Sequence, residues 1–174
     1  VTELRIGTLG SPRMLRSPVD ERRALLARAA DAGLDHLFVA DHVSFFDGRG
    51  MDGLVDAATL LASHPSLRVY VGVYLLALRH PLPVARGIAS LCEAAPGRLI
   101  LGVGVGGEDR HEVEICGVDP KTRGRRTDES LSVLRPLLAG ELVTHHGEFF
   151  DFDAARILPA ARRPVPITIG GRSN

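Results

Sequence analysis

Asp41 and His42 stand side by side directly after the apolar run His36-Leu37-Phe38-Val39-Ala40. An acid beside an imidazole at the end of a buried strand is suited to binding a ligand and handling a proton, because His titrates near neutrality. Capping by Asp41 with an incidental His is the plainer reading of the same pair. Further along, Gly102-Val103-Gly104-Val105-Gly106-Gly107 formally satisfies G-x-G-x-x-G. A dinucleotide fingerprint, however, follows the first strand and opens straight into a helix whose N-terminus holds the pyrophosphate. Here the glycines lie on a fourth strand and run into Glu108-Asp109-Arg110-His111-Glu112, with no acid-tipped strand at the expected distance. Close approach of backbone to a flat ligand, which glycine permits, is the better reading. Gly170-Gly171-Arg172-Ser173 offers N–H groups and a cation for an anion or a ring edge, or else forms a simple turn.

Other chemistries lack their residues. The position four after His111 is Ile115, so H-E-x-x-H is missing. His145 and His146 are adjacent in a strand-like stretch and point to opposite faces, a poor metal clamp. No G-x-S-x-G elbow marks a serine hydrolase. Cys92 and Cys116 have no metal-like spacing and read as reduced thiols of a cytoplasmic protein. No metal is expected.

The elements that must position these residues alternate in period. Leu4–Leu9 reads as a first strand, Asp20–Asp31 as a helix closed by Gly33, and His36–Ala40 as a second strand buried on both faces. Leu54–Ser63 is helical, Leu67–Leu76 a third strand, and Pro83–Ala95 a helix with proline in its first turn. Arg98–Val105 forms the fourth strand, Thr127–Leu138 a helix, Leu142–Phe152 a hairpin around His146-Gly147, and Val165–Ile169 a fifth strand. Parallel strands with helical crossovers follow. An open doubly wound sheet and a barrel seen through its fifth strand both fit, and both bind ligands at the carboxyl edge of the strands. The polar residues gather at that edge.

The chain has 174 residues, enough for one domain with a substantial core, and its 45% hydrophobic and 24% charged residues are those of a folded globular protein. Basic and acidic residues number 21 each, so nucleic-acid binding, which needs a basic face, gains no support. No apolar run approaches the ~20 residues that span a bilayer. The partners expected are a small-molecule substrate and a second copy in a homodimer, not nucleic acid or membrane.

Taken in register, these stretches resemble the luciferase-like monooxygenase superfamily of (β/α)8 TIM barrels. Asp41-His42, Arg79-His80-Pro81, Gly97–Gly104, the Gly147-Glu148-Phe149-Phe150 hairpin and Pro166–Gly171 carry the resemblance, which runs nearly the whole chain. The segment from Gly106 to Pro120 is similar to the actinobacterial branch that uses the deazaflavin coenzyme F420. The resemblance implies an F420-dependent oxidoreductase moving hydride to or from a small organic substrate. An FMN-dependent monooxygenase, or a non-catalytic flavin- or deazaflavin-binding protein, is the alternative. It implies that Asp41 and His42 lie against the cofactor ring with His42 assisting the proton. It also implies that a bulge at Val73-Tyr74-Leu75, with a cis Tyr74–Leu75 bond, supports one ring face. Gly106, Gly107, Gly170 and Gly171 would pass backbone N–H groups to the cofactor. Some sugar-phosphate dehydrogenases of this branch carry a catalytic Glu where Gly107 aligns, whereas the acid here is Glu108, one position on. Phe45 or Phe46 stands where they have another aromatic. Relatives run to about 250 residues or more to close eight strands, so the chain is expected to be the N-terminal part of such a barrel, a single domain of about five βα units.

Overall fold

The structure, a computed structural model, describes residues 4–170. The chain order is β1 (Gly7–Leu9), α1 (Pro12–Arg16), α2 (Val19–Asp31), β2 (His36–Val39), then a hairpin of β3 (His42–Phe45) and β4 (Arg49–Met51). It continues through α3 (Gly53–Ser63), β5 (Arg68–Leu75), a single 3-10 turn over Leu76–Leu78, α4 (Pro81–Ala94), β6 (Leu99–Gly104), α5 (Arg110–Ile115) and α6 (Arg123–Leu138). A second hairpin, β7 (Val143–His146) and β8 (Asp151–Ala155), precedes β9 (Ile167–Gly170).

Five strands form one parallel sheet in the order β1-β2-β5-β6-β9. Each new strand adds beside the last. A doubly wound sheet would reverse direction partway, so the one-way order removes that alternative. One face of the sheet is covered: Leu37, Val39, Val69, Val71, Leu99, Leu101 and Val103 pack with Leu26 of α2, Leu60 of α3, Ile88 of α4 and Leu134 and Leu137 of α6. Burying such side chains contributes roughly 1.5–3 kcal/mol each, which makes this layer the core.

The opposite face carries Phe38, Tyr70 and Ile100, side by side in register and only half-buried. The expectation that β2 is buried on both faces is therefore corrected: its burial alternates, with Leu37 and Val39 covered and His36 and Phe38 not. The reason is that helices lie on one side of the sheet among the described residues. Tyr70 Oη and Thr168 Oγ1, 3.1 Å apart, link β5 to β9 across this open face.

Helix starts follow local chemistry. The Asp52 carboxylate caps α3 by accepting from the Leu54 and Val55 N–H groups, and Pro81 opens α4 behind His80. No helix among the described residues is long and apolar enough to cross a membrane.

Candidate active site

The loops leaving β2, β5 and β6 meet at the carboxyl edge of the sheet, and buried carboxylates join them. Asp41, at the end of β2, is 2% exposed. Its Oδ1 accepts from the Gly53 N–H (2.9 Å) and Arg79 Nη2 (2.9 Å), and its Oδ2 from the Leu75 N–H (2.8 Å) and Arg79 Nη1 (2.7 Å). Burial disfavours the Arg79 charge, but the hydrogen bonds and charge of Asp41 outweigh it and raise the Arg79 pKa. Asp41 was expected beside the cofactor ring. Both oxygens are occupied inside the protein, so its part is to tie β2, β5 and the start of α3 together.

His42 differs. Its side chain is 32% exposed, its ring stacks on Phe45 with centroids 4.0 Å apart, and Phe45 in turn packs on Phe46 at 4.2 Å. His42 Nδ1 lies 3.0 Å from Oε2 of Glu112, an α5 residue only 3% exposed. Glu112 Oε1 accepts from the backbone N–H groups of Val43 (2.6 Å) and Ser44 (3.0 Å). Asp109, the N-cap of α5, accepts from the Phe46 N–H at 2.6 Å, and this bond leads the lowering of its pKa. Phe46 sits at φ 45°, a left-handed conformation that a bulky aromatic adopts only under such constraint. Two acids after β6 thus grip the hairpin after β2.

The third strand departs from expectation in an instructive way. The non-proline cis bond is at Gly72–Val73, not Tyr74–Leu75. Pairing with β6 slips between Val71 and Tyr74: three steps on β5 match two from Leu101 to Val103. One extra residue turns the alternation over, so Tyr74 joins Val71 on the helix-covered side. There Tyr74 is 2% exposed, its phenol pKa raised by burial, with the Arg79 guanidinium 4.4 Å over its ring. Leu75, 4% exposed, lies under the loop after β6, where a Cβ on Gly106 would come within 3.4 Å of its Cδ2. Neither side chain opens to the mouth. Val73 does: it is half-buried, and Cβ atoms placed on Gly104 or Gly170 would run into its side chain. The room made by these two glycines is filled by Val73, which forms an apolar floor.

Gly106 (φ 69°) and Gly107 (φ 114°) carry the chain away from β6. The Arg123 guanidinium stands beside them, its Nε donating to the Gly106 carbonyl at 3.2 Å. Among the described residues, the N–H groups of Gly106 and Gly107 have no protein acceptor. Glu108, the acid nearest the Gly107 position, is exposed. Gly171 falls outside the described residues. His145 and His146 face separate acids, Glu129 (3.0 Å) and Asp151 (2.6 Å), and the described residues hold no group of three or more metal-ligating side chains.

Sequence reasoning gave no role to Glu112 or Asp109, and it placed Val73 in the bulge without singling it out from Tyr74 and Leu75. Asp109-x-x-Glu112 has the spacing of a capping box, which would have marked the start of α5. Nothing local shows that the Glu112 carboxylate reaches across to another loop.

A parallel sheet wound one way, helices on one face and polar loops gathered at the carboxyl edge define an α/β protein, and that edge is where such folds bind ligands. Residues 5–174 match the luciferase-like monooxygenase family, and the chain belongs to it. An F420-dependent glucose-6-phosphate dehydrogenase of Nakamurella multipartita is 34% identical over 152 residues, covering 84% of this chain and 44% of that protein. The matched stretch covers 44–45% of the curated relatives, so the chain spans only about half their length. Among solved structures, an F420-dependent secondary alcohol dehydrogenase in complex with an F420-acetone adduct superposes with TM-score 0.79 at 24% identity, over 98% of this chain and 53% of that one. The oxygenating constituent of 3,6-diketocamphane monooxygenase from Pseudomonas putida, in complex with FMN, superposes with TM-score 0.77 at 20% identity, over 95% and 51%. These two likenesses concern the fold.

Proposed function

We propose that the chain is the N-terminal part of an eight-stranded barrel oxidoreductase of the cytoplasm that uses coenzyme F420 and a small organic substrate, such as an alcohol or an enone. The observation that carries this reading is the convergence of three loops: His42 after β2, Val73 on the β5 bulge, and Gly106-Gly107 after β6, linked by Asp41 and Glu112. Identity of 34% to an F420-dependent dehydrogenase supports the cofactor, and the half-buried Phe38-Tyr70-Ile100 face supports closure by further strands. When bound, F420 supplies hydride chemistry at C5 of its ring.

The residues present fit such a group. Val73 offers an apolar floor for a flat ring, and the N–H groups of Gly106 and Gly107, with Arg123 beside them, suit an anionic tail. His42 is the group that holds or receives the substrate proton, through Nε2. Phe45 stacks on its ring and Phe46 packs on Phe45, which sets two aromatic rings beside it. The protein acts as a homodimer in this reading.

Fluorescence titration of the full protein with F420 and FMN separately tests it. F420 is expected to bind, and His42→Ala to abolish turnover while changing F420 affinity little. Tight FMN binding with no response to F420 would transfer the reading to a flavin monooxygenase, and an unchanged kcat in His42→Ala would remove His42 from the chemistry.

A further inference from the structure

We propose that Glu112 is a positioning residue that holds neutral His42 in the Nδ1–H tautomer and leaves Nε2 as the ring's free lone pair. This deepens the proposed function, on which it rests only for the use made of that lone pair.

The inference follows from counting donors. A carboxylate accepts and does not donate. Glu112 Oε1 is taken by two backbone donors, Val43 N–H at 2.6 Å and Ser44 N–H at 3.0 Å, so the carboxylate cannot rotate without stranding them. Its other oxygen, Oε2, faces His42 Nδ1 at 3.0 Å. That contact is a hydrogen bond only if Nδ1 carries the hydrogen. The acid is 3% exposed and seated in the first turn of α5, whose N-cap Asp109 grips the same hairpin through Phe46, so both ends of the contact are fixed. Among the described residues Nε2 has no partner, while the ring keeps 32% of its surface open. The ring of His42 is thus oriented by a carboxylate it meets 70 residues later in the chain, and only its reactive nitrogen is left to the mouth.

The test substitutes the one atom that matters. In Glu112→Gln the amide oxygen retains Val43 and Ser44, which puts the NH2 group against Nδ1. Nδ1 must then accept, and the hydrogen moves to Nε2. Two-bond 1H–15N spectra of histidine-labelled, cofactor-free protein at alkaline pH read this directly, with the His42 signals identified by their loss in His42→Ala. The parent is expected to show the Nδ1–H pattern and Glu112→Gln the Nε2–H pattern. Turnover of Glu112→Gln is expected to fall by as much as about 10,000-fold, the scale on which a wrong imidazole tautomer acts in a serine-protease triad, with KM little changed. A parent ring in the Nε2–H form overturns the proposal, and so does a folded Glu112→Gln protein with an unaltered tautomer. Should Glu112→Gln fail to fold, the parent spectrum decides alone. Because the spectra need neither F420 nor substrate, a failure of the assigned activity leaves this result standing or falling by itself.

Discussion

Adjacent in sequence, Asp41 and His42 end in opposite environments. Asp41 points inward and spends both oxygens on Gly53, Leu75 and Arg79, whereas His42 points to the mouth with one nitrogen anchored. Successive side chains leaving a strand alternate faces, so the two had to turn to opposite sides, Asp41 to the covered one. Replacing Asp41 by Ala leaves a part-buried guanidinium with only its longer, 3.3 Å contact to the more exposed Asp52, and two backbone N–H groups without acceptors. The expected loss is about 3–5 kcal/mol in urea unfolding, the range for breaking a buried pair from one side. A loss below about 1 kcal/mol, the value for an exposed pair, would contradict this account.

Among the elements, β5 decides what the site looks like. Its extra residue at Gly72-Val73 swaps Tyr74 to the covered side and lifts Val73 over Gly104 and Gly170. A Cβ added at Gly104 would also come within 3.0 Å of the Val73 Cβ, so Gly104→Ala must push that floor aside. Overpacking of this kind costs typically 1–3 kcal/mol. The variant is expected to lose about that much stability and to bind F420 more weakly, measured by thermal unfolding and by fluorescence titration. Retained stability and affinity would show that Val73 supports nothing. The β3–β4 hairpin is the element the residue pattern does not reveal: its strands are short, carry no buried residue and pair irregularly, and two acids at the start of α5 hold it in place.

Across the whole molecule, acids accumulate where the strands end. Asp56, on the first turn of α3, has its pKa raised to about 6 by burial first, then by Asp52 and Asp41, and its Oδ2 is buried without a partner among the described residues. The folded protein therefore holds this proton more tightly than the unfolded chain. Unfolding releases it between the ordinary value of 3.8 and about 6, so the Asp56 contribution to stability declines as pH rises through that window. Asp56→Asn removes the decline. The melting temperature of the variant relative to the parent is expected to climb from about pH 4 to about pH 6 and then level off, and a constant difference would refute the assignment. At this scale the sheet also explains why Ile169 on β9 is 62% exposed and Leu9 on β1 is 53% exposed: both belong to the outermost strands.

Alternating periods of two and 3.6 were enough to locate the parallel strands and the longer helices, because each must bury one repeating face, and the clustering of Gly, Asp and His after the strands was enough to mark the edge where the loops after β2, β5 and β6 meet. Those are local properties, written within ten or fifteen residues. The direction in which Asp41 and Val73 point, the choice of Gly72–Val73 for the cis bond, and the reach of Glu112 to His42 are not local. They depend on strand register, a one-residue slip and a hydrogen bond spanning 70 positions, and such contacts exist only once the chain has packed.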